Sequence, residues 1–229
     1  MSSVYQWPAT WAPNVFEMRV LPNAFTFTST YSKTTQTIDF LGERWTVRID
    51  LAPDSDPVLG AAREAFFDRL RGPVNLISVW NLRRPIPQGT LRDTAGGNAQ
   101  WKTNTGANAT WQTSVPSAAT WSYIGPTLFS AMAQLSNILP ICTTPGTTVL
   151  AGDQIGVGQL FRAMANATAD ATGLLAVEVL PRARTTIPIS STIICTKPTA
   201  NFMLKSPAVP IVWHPGMFDG ATLELIEAY

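Results

Sequence analysis

Apolar and polar residues alternate most regularly over residues 44–51, RWTVRIDL. The tryptophan, valine, isoleucine and leucine of this segment fall on one side of an extended chain, and the charged residues fall mainly on the other. The pattern predicts a half-buried strand whose apolar face lies toward a core. The segments FTFT and TIDF, residues 25–28 and 37–40, alternate in the same way, and we expect them to form strands beside it.

The next segment has helical spacing instead. Ser55 or Asp56 can cap the first turn, and Pro57 suits the first helical position. Gly72 can take the left-handed conformation that ends a helix. These signals predict an α-helix over about residues 57–71. Its apolar stripe is expected to consist of Leu59, Ala62, Phe66 and Leu70.

Short segments with strand character follow the helix. We predict strands at residues 74–80, 154–163, 174–180 and 192–196. About five short strands without a helix between residues 94 and 200 favour a small barrel of the OB or SH3-like kind. In the tail, residues 221–229, Leu223, Leu225 and Glu227 alternate with Glu224 and Ile226, which predicts one more strand that closes a sheet.

The composition favours a β-rich protein and argues against several functions. Charged residues make up only 14% of the 229 residues and apolar residues 45%, while 18 prolines and 15 glycines interrupt the chain. Charge is also uneven, because residues 94–200 carry eight charged side chains and the shorter segment before them carries nineteen. The formal charge of +1 gives no electrostatic basis for binding nucleic acid or an anionic membrane.

The two cysteines, Cys142 and Cys195, fit neither a disulfide framework nor a metal site, and the sequence leaves open whether they pair. A reduced, cytoplasmic environment is the simpler interpretation. The first residues, MSSVYQWPATWAP, lack the basic and apolar regions of a signal peptide. No apolar segment approaches the roughly 20 residues of a membrane helix, so we expect a soluble protein.

Three tryptophans, Trp101, Trp111 and Trp121, stand ten residues apart in a repetitive segment. Gly106 and Pro116 lie midway between them, and turns there would fold the segment into a three-stranded meander. The indoles would then be cross-strand neighbours within about 10 Å of one another. Such a ladder could be a small core or a contact with neighbouring subunits, or a platform for carbohydrate. A repetitive, disordered loop is the third alternative.

The ionisable residues predict no catalytic site. His214 is the only histidine, so it lacks partners for a metal site or a Ser–His–Asp triad, and a structural role is expected. Asp50, Asp54 and Asp56 resemble paired carboxylates, but Asp50 lies on the polar side of a predicted strand and Asp56 is a predicted helix cap. We therefore predict no catalytic, cofactor-binding or metal-binding residues, no cofactor and no enzymatic activity.

Two loops carry weaker patterns for ligand binding. Residues 152–158, GDQIGVG, contain a GxG motif without the strand and helix that a dinucleotide loop needs, so a dinucleotide site is not expected. Arg83 and Arg84 could hold a phosphate or a carboxylate of a partner, and a solvated loop is the alternative.

Several short motifs, in their order and spacing, resemble those of tail proteins of long-tailed bacteriophages, and most closely of the distal tail proteins. In the first half these are GERW, LAP, FFDRLRG and PIPQG, at residues 42–45, 51–53, 66–72 and 85–89. In the second half they are LAGD, LFR, ADATG and VLPRAR, at residues 150–153, 160–162, 169–173 and 179–184. Together they extend over about two thirds of the chain.

Distal tail proteins form a ring, typically a hexamer, that joins the tail tube to the baseplate or tail tip. The resemblance implies a ring domain of residues 1–93, completed by a closing strand within residues 203–229. It would be a tube-like β-sandwich or barrel flanked by the helix. Residues 94–200 would form an inserted outer domain, a small OB-like β-barrel that carries the tryptophan repeat.

The implied partners are further copies of the chain, a tail tube protein and a baseplate hub or tail-tip protein, with no direct recognition of nucleic acid and no membrane. The implied location is the distal end of the virion tail, after assembly in the cytoplasm of the bacterial host. The repeat of Trp101, Trp111 and Trp121 departs from the family pattern. It leaves two alternatives, a carbohydrate-binding virion module that uses these indoles and another minor tail or tube-terminating protein.

Overall fold

The computed structural model of the chain describes residues 2–93 and 125–228. Within them the fold is mainly β with one α-helix, as the sequence predicts, and includes a sheet that curls into a half-barrel. The predicted meander of Trp101, Trp111 and Trp121 lies outside the described residues.

The elements before residue 94 are β1 (Val4–Gln6), β2 (Val15–Leu21), β3 (Ala24–Thr28), β4 (Thr35–Asp39), β5 (Arg44–Asp50), α1 (Pro57–Leu70) and β6 (Leu76–Trp80). Those after residue 124 are β7 (Thr127–Leu128), β8 (Ile138–Cys142), β9 (Thr148–Val149), β10 (Gln154–Val157), β11 (Gln159–Ala163), β12 (Ala167–Thr168), β13 (Leu174–Leu180), β14 (Thr199–Leu204), β15 (Trp213–His214), β16 (Met217–Phe218) and β17 (Thr222–Glu227).

Six strands form the first sheet, in the order β1-β6-β14-β17-β5-β2. Strand β5 is the regularly alternating segment, and its Trp45 and Ile49 are fully buried while Arg48 is exposed. The predicted C-terminal strand is present as β17, and its Leu223 and Leu225 are buried. Because β17 pairs with both β5 and β14, the end of the chain lies in the same sheet as its beginning.

The helix begins and ends close to its predicted bounds. Asp56 is its N-cap and accepts a hydrogen bond from the backbone N–H of Val58 at 2.9 Å. Arg71, rather than Gly72, is the first residue in the left-handed conformation, with φ of 50°. The predicted apolar stripe is wrong at Ala62, which is exposed. The buried residues are Gly60, Arg63, Phe67 and Leu70, so the helix is rotated from the predicted orientation.

Three strand predictions need correction. Residues 25–28 and 37–40 do form strands, but these pair with each other and not beside β5. Residues 154–163 form two strands, β10 and β11, because the chain reverses at Gly158, where φ is +66°. Residues 192–196 make isolated bridges in place of a strand.

Five strands form the second sheet, in the order β10-β11-β13-β8-β7. Each sheet has its own cluster of buried apolar side chains, and the helix contributes Phe67 and Leu70 to the cluster of the first sheet. Leu160 of β11 also packs in the first cluster, although its neighbour Phe161 belongs to the second. Alternating side chains of one strand therefore connect the two cores.

Candidate interaction surface

Strands β3 and β4 form a hairpin that pairs with no other strand among the described residues. Phe25 lies opposite Ile38 in its register. One face consists largely of threonines, whose hydroxyl oxygens meet in the pairs Thr26–Thr37 and Thr28–Thr35, each at 3.4 Å. Cross-strand threonine pairs of this kind stabilise a hairpin and tolerate contact with water.

The other face of the hairpin is apolar and open to solvent. Phe25, Phe27 and Ile38 are 59%, 54% and 51% exposed, and Phe40, just beyond β4, is 58% exposed. Tyr31 at the turn is fully exposed. An isolated two-stranded hairpin is only marginally stable in water, and contiguous exposed apolar side chains mark interaction surfaces. This face, the hairpin face, is the strongest candidate for a protein contact.

The base of the hairpin is held by ionic contacts with the second half of the chain. The Nη1 atom of Arg182 lies 3.2 Å from the Asp39 carboxylate and 3.5 Å from that of Glu43. A hydrogen bond from the backbone N–H of Leu41, together with the nearby Arg182, lowers the pKa of Asp39. The hairpin is thus anchored at one end while its apolar face stays open.

A second exposed apolar surface lies where the hairpin of β15 and β16 meets the start of the helix. Trp213 is 44% exposed there. Val58 and Met217 are exposed too, but Met217 pairs with His214 and so lies on the side of the hairpin away from Trp213, and Val58 lies on the side of the helix away from Gly60. The Trp213 ring packs 5.5 Å from that of Phe218. A side-chain carbon added at Gly60 would lie 2.6 Å from the Trp213 ring, so the helix and the indole are in direct contact. We call the exposed part of Trp213, together with the first turn of the helix beside it, the helix-end face.

The acidic residues and the histidine considered in the sequence have separate, local partners. His214 Nε2 lies 3.1 Å from the carboxylate of Asp219, and both side chains are exposed. Asp56 caps the helix, Asp54 accepts a hydrogen bond from the backbone of Asp56 at 3.1 Å, and Asp50 pairs with an arginine on its own strand. The carboxylates of Asp50, Asp54 and Asp56 therefore each have a different local partner and do not form a paired acid site.

The glycine-rich segment and the cysteines are also placed by the structure. Gly152 and Gly158 adopt φ of +94° and +66° in the turns on either side of β10, so the segment forms part of a β-hairpin. Cys142 and Cys195 are both free thiols, and Cys195 is buried. Arg83 and Arg84 lie in the loop after β6, where Arg84 approaches Gly152.

Across residues 2–93 and 125–228, no three His, Cys, Asp or Glu side chains are grouped as a metal ion would require. The described helix is too short to span a membrane. A scan of the chain against protein-family models found no match, and a search of curated proteins also found none.

The sequence did not predict the hairpin face as a surface. Alternation in FTFT and TIDF indicates one apolar side, but it does not show whether that side meets a core or solvent. The signal that was available is the polar segment of residues 29–34 between the two strands, which is short enough to join them directly.

Proposed function

We propose that this chain is a structural subunit of a bacteriophage tail, which forms a ring, six-fold as in distal tail proteins, between the tail tube and the tail tip or baseplate. The single observation that carries the proposal is the exposed apolar face of the β3–β4 hairpin. The order of short motifs shared with the distal tail proteins supports the same function.

A closed ring requires a contact in which two different surfaces of the same chain meet. The hairpin face and the helix-end face are two apolar surfaces on separate elements, and they supply the two halves of such a contact. Full burial of a fully exposed phenylalanine contributes about 1.5–3 kcal/mol, and these side chains, which are 51–59% exposed, would each contribute about half of that. Covering Phe25, Phe27, Ile38 and Phe40 together would therefore stabilise an assembly substantially. In this proposal, the hairpin of one copy docks on the helix-end face of the next.

The oligomeric state tests the proposal. Light scattering behind a sizing column should give six times the 24.8 kDa mass of one chain, and negative-stain images of that peak should show rings with a central hole. The double variant Phe25→Ser/Phe27→Ser should lose the ring while its circular dichroism spectrum stays close to that of the wild type. Thr26→Ser/Thr28→Ser, on the opposite face of the same strand, is the matched control and should keep the ring.

Two results would contradict the proposal. One is a wild-type protein that stays monomeric both alone and when mixed with the tail tube protein. The other is a ring that forms equally well in the phenylalanine variant. Immunogold labelling of virions locates the subunit: gold at the distal end of the tail supports the adaptor, and gold at the head-proximal end favours a tube-terminating protein.

A further inference from the structure

An arginine-lined cavity of about 340 Å³ lies between strand β2, the loop after β6, and the second sheet. Among its lining residues are Arg83 and Arg84 of that loop and Arg162 of β11. Arg19 also lines the cavity, but its guanidinium pairs at 3.0 Å with Glu17, another lining residue. The other three arginine residues that line the cavity, Arg83, Arg84 and Arg162, give it an excess of positive charge.

Arg162 is held in position by the first sheet. Its Nη2 atom donates a hydrogen bond to the backbone carbonyl oxygen of Met18 at 2.8 Å, and its guanidinium carbon lies 4.8 Å from the centre of the Trp45 ring. Burial lowers the pKa of Arg162, and the charge of Arg84 lowers it further. Two guanidinium groups are therefore kept near each other although they repel.

No carboxylate neutralises this pair within the described residues. Neither Arg83, Arg84 nor Arg162 takes part in an ion pair there. Glu17, the carboxylate that lines the cavity, is engaged by Arg19. Residues 94–124, which lie outside the described part, contain no aspartate or glutamate.

Asn81 adds a directed hydrogen-bond donor. The residue is only 9% exposed, and its Oδ1 atom accepts hydrogen bonds from the backbone N–H groups of Arg83 and Arg84 at 3.1 and 3.2 Å. Its Nδ2 group has no hydrogen-bond partner in the described part of the chain, and the residue lines the cavity. Gly152 leaves room for the arginine, because a side-chain carbon there would lie 2.8 Å from Arg84 Nη1.

We propose that this cavity is an anion site that binds a phosphate group through Arg84 and Arg162, with Asn81 Nδ2 as a further donor. The planar fork of arginine matches the oxygen spacing of phosphate. A phosphate also carries enough acceptor oxygens and enough negative charge to engage two guanidinium groups at once, which a single carboxylate does not. The site is independent of the proposed ring contact, because it uses neither the hairpin face nor the helix-end face.

Isothermal titration calorimetry of the full chain with pyrophosphate, orthophosphate, glycerol phosphate and acetate tests the site, with ionic strength held constant by sodium chloride. We expect saturable binding of the phosphate compounds and none of acetate. Arg84→Gln should weaken binding at least tenfold, and Arg69→Gln, at the exposed end of the helix, should leave it unchanged. The phosphate compounds should also raise the thermal midpoint of the wild type, because they bind the folded state.

The relative affinities identify the source of the phosphate. Tighter binding of glycerol phosphate than of orthophosphate supports an esterified phosphate as ligand, whereas the reverse order supports a free anion. Absence of binding by any phosphate compound would overturn the site. The site would also be overturned if Arg84→Gln bound the phosphate compounds as tightly as the wild type does and if these compounds left the thermal midpoint of the wild type unchanged. Acetate binding as strong as that of orthophosphate would overturn it as well.

Discussion

The indole nitrogen of Trp45 lies 2.8 Å from the backbone carbonyl oxygen of Leu160, and the contact is buried. It joins β5 of the first sheet to β11 of the second. Trp45 is also the ring on which Arg162 stacks, two residues after Leu160. One side chain thus fills the first core, connects the two sheets and orients a residue of the arginine-lined cavity.

Trp45→Phe should therefore destabilise the fold by more than the smaller side-chain volume alone would cause. The substitution keeps an aromatic ring but removes the N–H donor, which leaves the buried carbonyl oxygen of Leu160 without its partner. Such a loss costs about 1–3 kcal/mol, and urea unfolding followed by circular dichroism would measure it. Trp80→Phe, at a half-buried position, is the matched control for the loss of an indole and should change stability less. Equal stability of the two variants would contradict the bridging role of the indole.

The fold could be predicted from sequence where one face of an element is buried and the other is exposed to solvent. The strands β13 and β17 were found in this way, since their apolar spacing is regular, whereas the helix was found mainly from its N-terminal signals at Asp56 and Pro57. The predicted strand at residues 192–196 is wrong for a local reason. Ser190 and Lys197 adopt φ of 62° and 49°, so the chain turns on either side of this segment, which makes only isolated bridges at Thr192 and Ile194.

The candidate sites were less predictable because they depend on tertiary contacts. The pair Arg83–Arg84 was visible as a possible anion-binding loop, but Arg162 looked like an ordinary polar position on a strand. Its approach to Arg84 requires β11 to pack beside β2, which no local pattern specifies. The orientation of the helix was also predicted wrongly. Ala62 and Gly60 are both small residues, so the sequence does not show which of them is buried, and in the structure the rings of Trp213 and Phe218 pack against Gly60.

Asp153 should be essential for the connection between the two halves of the chain. Its buried carboxylate accepts backbone hydrogen bonds from Gln88 at 2.7 Å, Gly89 at 3.0 Å and Leu150 at 2.9 Å. Asp153→Asn offers one acceptor oxygen and turns a donor toward backbone donors, so we expect a loss of about 3 kcal/mol. Asp68→Asn, on the exposed side of the helix, is the control for removing a negative charge.

Urea unfolding of both variants would measure this difference. If the urea midpoint of Asp153→Asn were the same as that of Asp68→Asn, the backbone around Gln88, Gly89 and Leu150 would be stable without the Asp153 carboxylate.

A pair of glycine substitutions separates backbone strain from steric contact. Gly146 and Gly173 have φ of +76° and +81°, so an alanine is strained to a similar degree at both. A side-chain carbon at Gly173 would lie 2.1 Å from the carbonyl oxygen of Thr143, whereas nothing lies within 4 Å at Gly146. Gly146→Ala should cost about 1 kcal/mol.

Gly173→Ala should cost about 1–3 kcal/mol more, because the turn between Thr143 and β13 must move to admit the carbon. Thermal unfolding of the two variants measures the difference. Equal losses would mean that the turn adjusts freely and that the close approach has no energetic consequence.

Cys195 should make stability fall in alkaline solution. Burial, reinforced by the carboxylate of Asp93, raises the pKa of this thiol well above its ordinary value of 9.0. The stabilisation is fully present below pH 9, where the thiol is protonated in both states. Above pH 9 the unfolded chain loses the proton while the folded chain keeps it, so the free energy of unfolding decreases as pH rises.

Cys195→Ala should reduce this dependence, and Cys142→Ala, at the half-buried cysteine, is the control. Urea midpoints at pH 8 and pH 10 for the wild type and both variants measure the effect.

In the folded protein at pH 8, iodoacetamide should label Cys195 far more slowly than in urea, because the buried thiol is inaccessible and stays protonated. Rapid labelling of Cys195 in the folded state, or a Cys195→Ala variant with the wild-type pH dependence, would show that this thiol is neither buried nor held protonated by the second core.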